Sequence, residues 1–404
     1  MFSLNKQLVE SKTVSRYKKK RIVYSSSDFG VKIGKHFSGA CPPEIFVGRF
    51  NYPQVNAGIL SPNSFEDSQD MSMPEAWYAK KFGIGEILTR RNQLVYGRFS
   101  AKVQDARKTT GGENVKLLNL VKEISMAYKP VNTELFLKKI PKKHTEVNKI
   151  SPIITNVSPL ENARLQENVP VLKKVDYIVG DDQSRAVDSL QELYQSNVPI
   201  SNLSKILSAG LLGLKTQRKL VPTRWSITAV DDTLSKQLLK KIVYYPEISD
   251  ITLYHSEYNG NHYEILLLPG NFSFEVIEGE MKLQETLFWH DYERFSGKKQ
   301  YASSVVGAYY ACRLAVCEYL ERIKRQAVCL FFREVRPEYY APLGVGILRE
   351  CTRGAFNEKP ERFGSVAGAF EQMQERMELP VDRFREKSVL LKEYGKQKKL
   401  WDFK

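Results

Sequence analysis

Hydrophobic and polar positions change period several times along the chain, and each change predicts an element. Within Cys41-Pro42-Pro43-Glu44-Ile45-Phe46-Val47-Gly48-Arg49-Phe50-Asn51-Tyr52-Pro53 an apolar strand is cut short by Gly48 and closed by Tyr52-Pro53. Residues 74–98 predict a helix entered at Pro74. Trp77, Ile84 or Ile87, and Leu88 form its buried side, with Arg90 and Arg91 near the end, where cations suit the dipole. Leu117, Val121, Ile124 and Tyr128, at three- and four-residue steps, mark another helix that Pro130 stops. Prolines and β-branched residues dominate from about 140 to 180 (Pro141, Pro152, Pro159, Pro170), as in an extended connection crossing a surface. Ser184 to Tyr194 predicts a helix, and Leu203 to Leu214 a second one broken by Gly210 and Gly213.

The stretch from Val221 to Thr233 alternates: Trp225, Ile227 and Ala229 are interleaved with Arg224, Ser226 and Thr228, which predicts a strand with one polar face ending in Asp231 and Asp232. Ile251 to Tyr258 and His262 to Leu268 flank Asn259-Gly260, the strongest short hairpin signal, and Phe272 to Ile277 continues as a third strand. Val305, Tyr309, Cys312, Val316 and Ile323 trace one face of a helix from Tyr301 to Arg325, and Ala327 to Phe332 follows as a buried strand. Phe363, Val366, Phe370, Met373 and Met377 predict an amphipathic helix up to Leu379-Pro380; a last segment with Phe384, Leu391 and Tyr394 hands over to Gly395. Together these elements predict a mixed α/β (α+β) protein, with a central mixed or antiparallel sheet flanked by helices and flexible N- and C-terminal tails.

Composition narrows the partners. At 404 residues the chain has room for two domains or one large one with a tail, and 42% hydrophobic residues supply a true core. A net charge of +15 favours an anionic partner, nucleic acid first. Cys41, Cys312, Cys317, Cys329 and Cys351 are scattered, with no C-x-x-C pair and no histidine at finger spacing. They are expected to be reduced core thiols of a cytoplasmic chain rather than a zinc ribbon or a disulfide framework. No run of about eighteen apolar residues occurs, so no membrane span is expected.

Candidate chemistry sits at a few positions. Lys18, Lys19, Lys20 and Arg21 belong to a basic run that suits phosphate contact, or a solvated leader. Gly48 lets a ligand approach beside Arg49, a second candidate for phosphate, with a structural salt bridge as the alternative. Asp231 and Asp232 read either as a divalent-metal or acid–base site, with Arg224 meeting a phosphate, or as the cap of a following helix. A Mg2+ or Mn2+ ion would have Asp231, His262 and His290 as candidate ligands; the plainer reading makes each histidine a hydrogen-bonded surface residue. Walker A, G-x-G-x-x-G and G-x-S-x-G motifs are missing from the sequence.

The closing residues Gln397-Lys398-Lys399-Leu400-Trp401-Asp402-Phe403-Lys404 carry three large apolar side chains at a chain end. Leu400 and Phe403 fall on one side of a helical turn, with Gln397 at its start. This pattern resembles the clamp-interacting PIP box that binds the sliding clamp PCNA, with Lys404 where that pattern has a second aromatic and Trp401 able to supply area. The alternative is a last turn folded back on its own domain.

Phe46 to Pro53, Val221 to Lys236, Tyr339-Tyr340-Ala341-Pro342-Leu343-Gly344-Val345 and Gln397 to Phe403 together resemble the archaeal Nre family of DNA repair proteins over nearly the whole chain. The resemblance implies a role in the DNA damage response exerted through PCNA, with Gln397, Leu400, Trp401 and Phe403 as the clamp contacts. It also implies a division into a basic arm (1–28), an N-terminal region (29–285), a C-terminal region (286–394) and a tail (395–404). One departure is the cysteine-rich opening of many members, since only Cys41 stands in the first three hundred residues here. Three readings follow: a DNA-binding repair factor delivered by PCNA, a metal-dependent enzyme on nucleic acid or nucleotide using Asp231 and Asp232, and a clamp adaptor without DNA affinity.

Overall fold

The computed structural model describes residues 33–146, 149–282 and 285–396. The basic arm with Lys18, Lys19, Lys20 and Arg21, and the octapeptide with Gln397, Leu400, Trp401 and Phe403, lie outside the described residues.

Two mixed sheets organise the chain. The first holds β1 (His36–Cys41), β2 (Ile45–Val47), β3 (Gln54–Pro62), β4 (Leu94–Lys102), β5 (Val131–Leu137), β6 (Lys142–Glu146) and β7 (Ile154–Leu165). Their order is β1-β5-β7-β4-β3-β2, with β6 also on β7, and β4 with β7 is the parallel pair. The second holds β8 (Ile251–Tyr258), β9 (Asn261–Leu268), β10 (Ser273–Glu280), β11 (Leu287–Glu293), β12 (Val328–Val335) and β13 (Glu361–Phe363). Here the order is β11-β10-β12-β9-β8-β13, with β10 and β12 parallel. Asn259 and Gly260 both take positive φ, as the two-residue hairpin between β8 and β9 requires.

The second sheet is buried on both faces, and strand parity sorts its side chains. Tyr263, Ile265, Phe274 and Phe331 face the helices Gly307–Ile323 and Val345–Ala355. Leu266, Ile277, Leu330 and Phe332 face the helices Val366–Arg376 and Val381–Lys387 on the other side. A separate core under the first sheet includes Ile59, Val95, Leu118 and Leu203. The helices Thr223–Ile242 and Gly307–Ile323 join the two cores: Val230, Leu234 and Leu314 belong to the first, Ile242, Tyr309 and Cys312 to the second.

Several local expectations give way to tertiary context. The stretch from Val221 to Thr233 is no strand; Pro222 opens a 20-residue helix, Thr223–Ile242. A helix packed on more than one side keeps apolar residues all round, so three alternating positions mimicked a strand. Residues 74–98 divide into the helices Pro74–Ala79 and Ile84–Arg91, parted at Lys81 (φ 56°), and then β4. The expected surface connection at 140–180 holds β6, the 12-residue β7 and the helix Lys173–Gly180. Pro159 is accommodated in β7 beside the register shift between Phe136 and Leu137 of β5. The helix expected from Tyr301 begins at Gly307, and Phe363 lies in β13 rather than at a helix start. All five cysteines are buried and free, as expected of core thiols.

Candidate nucleic-acid interface

A cleft of about 180 Å3 opens where two helices begin. Cations from separate elements line it: Lys149 after β6, Arg224 in the first turn of Thr223–Ile242, and Arg333 from β12. Trp289 of β11 and Tyr339 supply aromatic walls, and Ser303 to Ala308 form the remaining edge. The backbone at this edge is unusual. Val306 takes φ 58° and ψ −121°, a conformation β-branched residues rarely adopt, and the helix after it has no side-chain cap. Asp291 accepts the preceding N–H groups of Ser304 (2.9 Å) and Val305 (2.6 Å). The first-turn N–H groups of the helix, beginning at Gly307, have no intrahelical carbonyl to reach and form the positive end of its dipole.

The two helix starts meet at Ile150. Val345 N–H donates to the Ile150 carbonyl at 3.0 Å, and Gly344 before it sits at φ 89°. A Cβ on Gly307 would meet Ile150 Cγ1 at 2.8 Å and Val345 Cγ1 at 3.2 Å, so only glycine lets the three segments close together. Arg333 forms the buried floor: it donates to Glu278, and from Nε to Asn261 at 3.1 Å. Burial, the largest influence, works against its charge, but Glu278, Tyr263 and Tyr339 together outweigh it and hold the pKa up. Lys149 Nζ lies 4.8 Å from the Trp289 ring centre and 3.7 Å from Glu280. Cations, a helix terminus and an indole in one hollow suit a phosphate group with a planar group beside it.

The candidate residues divide by location. Arg224 lines the cleft, and the turn carrying Arg49 packs against the same helix start. Val47 N–H donates to Thr223 Oγ1 at 2.8 Å, and the Tyr52 ring sits 5.4 Å from that of Trp225. Asp231 and Asp232 do not join them. Adjacent helical residues diverge by about 100°, so Asp231 accepts from Arg349 at 2.6 Å while Asp232 accepts from Arg313 and from Lys236 at 2.7 Å. Neither caps a helix start, because both lie in mid-helix. His290 follows Trp289 on one strand and faces the opposite side, with Nε2 2.6 Å from Glu275. His262 is buried rather than on the surface, with Nε2 2.9 Å from Glu264, which also takes two bonds from Arg376. Both histidines therefore face the side of the second sheet away from Trp289. Among the described residues no group of three His, Cys, Asp or Glu side chains is placed to hold a metal ion, and no helix is long and apolar enough to cross a membrane.

Behind the cleft lies a buried ionic layer. Arg313, 1% exposed, reaches Asp232 and Glu293 (3.1 Å); Arg349, 2% exposed, reaches Asp231; Arg353 donates to Glu318 and Glu350 at 2.7 and 2.8 Å. Burial is the largest influence and opposes the Arg349 charge; Asp231, Glu350 and Glu75 together outweigh it and hold the pKa up, while burial pushes the Asp231 carboxyl up against the pull of Arg349. Glu350 is different: burial, helped by Glu75 and Glu318, lifts its carboxyl to about 7 against the pull of Arg353 and Arg349.

Sequence reasoning missed Lys149, Trp289, Arg333, Tyr339 and the 303–308 turn as site residues. A signal for the turn existed, since Ser303-Ser304-Val305-Val306-Gly307 ahead of an apolar-periodic run is a helix-start pattern. Beginning the helix at Tyr301 concealed it.

Comparison with known proteins matches the chain in two consecutive regions. The family description "Archaeal Nre, N-terminal" matches residues 18–289, and "Archaeal Nre, C-terminal" matches 293–403. The gap falls inside β11, so the second sheet draws strands from both regions. The DNA repair protein NreB of Archaeoglobus fulgidus is 33% identical over 382 residues, 92% of this chain and 93% of its own. The DNA repair protein NreA of Haloferax volcanii is 33% identical over 385 residues, covering 92% and 89%. The NreA of Archaeoglobus fulgidus is 36% identical over 357 residues, covering 86% and 87%. No solved structure matches. With both regions matched and relatives aligned almost end to end, the chain belongs to the archaeal Nre family.

Proposed function

We propose that the protein is a DNA repair factor that holds DNA phosphate at the Arg224 cleft and is carried to DNA by the sliding clamp PCNA. The observation that carries the DNA part is the cleft itself: Arg224, Lys149 and the uncapped start of Gly307–Ile323 converge beside Trp289 in a chain of net charge +15. The names of the relatives, DNA repair proteins, point the same way. Lys18, Lys19, Lys20 and Arg21 add phosphate contacts in this reading, and Gln397, Leu400, Trp401 and Phe403 fill the clamp. Two weak attachments reinforce each other through effective concentration, so neither needs high affinity.

Affinity for a labelled DNA measured against salt tests the first half. Binding falls linearly on a log–log scale, and replacing both Arg224 and Lys149 by alanine lowers the slope by about two. A slope that does not change removes the cleft from the interface. Deleting residues 396–404 tests the second half: clamp binding is lost while the melting temperature stays within about 1 °C, as expected for an undocked tail. A large fall in melting temperature would place the octapeptide in the protein's own core.

A further inference from the structure

We propose that the cleft and the rings around it take single-stranded DNA, with one unpaired base entering beside Trp289. The proposal rests on the phosphate reading above and goes beyond it by choosing the form of the nucleic acid.

Exposed and half-buried rings, several beside cations, surround the start of Thr223–Ile242. Phe50 is 65% exposed, with the Arg49 guanidinium 5.4 Å from its ring centre. Its neighbour Tyr52 packs on Trp225, next to Arg224 in sequence. Tyr301 is 51% exposed, has its ring centre 4.9 Å from that of Tyr310 and lies within electrostatic reach of Arg224. Trp289 has Lys149 and Lys282 ammonium groups 4.8 and 5.9 Å from its ring centre. Alternating cations and accessible π-faces are how proteins follow an unpaired strand: the cations meet successive phosphates and the rings stack on bases.

A duplex cannot use this surface. It shows phosphates and groove edges while its base faces are stacked inside, so Phe50, Tyr301 and Trp289 would meet only backbone. The hollow at Trp289 is also small. At about 180 Å3 it falls below the ~300–1,000 Å3 of sites that enclose drug-sized ligands, which leaves room for one planar group or one phosphate. The acids nearby are already occupied: Asp291 by backbone N–H groups and Lys298 at 3.3 Å, Glu280 by Lys149 and Lys282 at 3.7 and 3.9 Å. A phosphate entering the hollow takes over the lysines from Glu280.

Fluorescence anisotropy of the full chain with a labelled oligonucleotide, alone and annealed to its complement, tests the choice. The expected result is single-strand binding at least about tenfold tighter than duplex binding. Trp289→Ala, and separately the double change Phe50→Ala with Tyr301→Ala, should each weaken the single strand about tenfold and leave the duplex within about twofold. Phe50 and Tyr301 are exposed, so the double variant reports on binding even if Trp289→Ala misfolds. Trp289→Phe, which keeps a stacking face, should retain most single-strand affinity. Equal affinity for both forms, or aromatic variants that weaken both alike, overturns the single-strand proposal and leaves the phosphate reading standing. No binding of either form by the unaltered protein at low salt overturns the phosphate reading itself.

Discussion

Arg313 and Arg349 sit a short way along the fold from Arg224, yet the two groups are built for opposite ends. The first pair is buried to within 2% and each guanidinium is matched to a carboxylate on the Thr223–Ile242 helix. Arg224 begins that same helix and opens into a cleft shared with Lys149 and Trp289. The difference lies in what surrounds the charge. Within the layer joining the two cores, an ionised side chain needs an opposite charge from a neighbouring helix to stay ionised. At the cleft Lys149 has Glu280 at 3.7 Å and Arg333 has Glu278, and the more open setting lets water and an incoming anion reach the cations as well. In the proposed reading the same residue type thus fastens the two halves together in one place and recognises a ligand in the other.

The largest break in that comparison is Asp231→Ala. It removes the carboxylate 2.6 Å from the Arg349 guanidinium and leaves it Glu350 and Glu75 at 3.5 and 3.9 Å; losing one partner of a buried pair costs about 3–5 kcal/mol. Denaturant unfolding should show that loss with binding per folded molecule unchanged. A loss below about 1 kcal/mol would mean that the layer relaxes or hydrates around the charge. The outcome also bears on Asp231 as a metal ligand: a purely catalytic aspartate would cost activity and little stability.

The buried layer also carries a pH dependence. The Glu350 carboxyl rises from an ordinary 4.5 to about 7 in the folded protein, chiefly through burial. A carboxyl whose folded value is raised favours the fold while protonated, so its contribution is complete below about pH 4.5 and is lost as pH climbs through 7. The full swing is about 3 kcal/mol. Stability of the unaltered protein relative to Glu350→Gln should therefore decline between pH 4.5 and 8. Parallel stability curves for the two proteins would falsify the assignment.

Much of the fold was legible from local signals, and the site was not. Asn259-Gly260 announced its hairpin because a two-residue turn demands positive φ at both positions, and nothing distant can alter that. The strand Ala327 to Phe332 and the helix after Gly307 were visible as apolar runs or helical spacing. The Thr223–Ile242 helix was misread because contact with both cores blurs its polar face, and β7 because its prolines hide its pairing. The cleft could not be assembled from sequence at all: Lys149, Arg224, Trp289 and Ser303 converge only once the helices Gly307–Ile323 and Val345–Ala355 close on Ile150. Besides the helix-start pattern at Ser303 to Gly307, strand parity was a usable clue. Trp289 and His290 are neighbours in a strand, so at most one of them could face Arg224.

The smallest effect sharpens the comparison most, because it keeps charge constant. Arg224→Lys retains a cation at the cleft and loses the planar fork that, in the proposed function, grips two phosphate oxygens. DNA affinity should drop about threefold with the salt slope unchanged, since the number of phosphates neutralised is the same. Stability should stay within about 0.5 kcal/mol, as for other partly exposed substitutions outside the core. Arg349→Lys makes the same chemical exchange in the buried layer, where the shorter reach and denser charge of an ammonium leave Asp231 poorly matched. There the cost should appear in the unfolding curve, about 1–3 kcal/mol, with affinity per folded molecule untouched. If both variants instead lose affinity and stability together, the layer and the cleft act as one unit, and the separation of fastening from recognition does not hold.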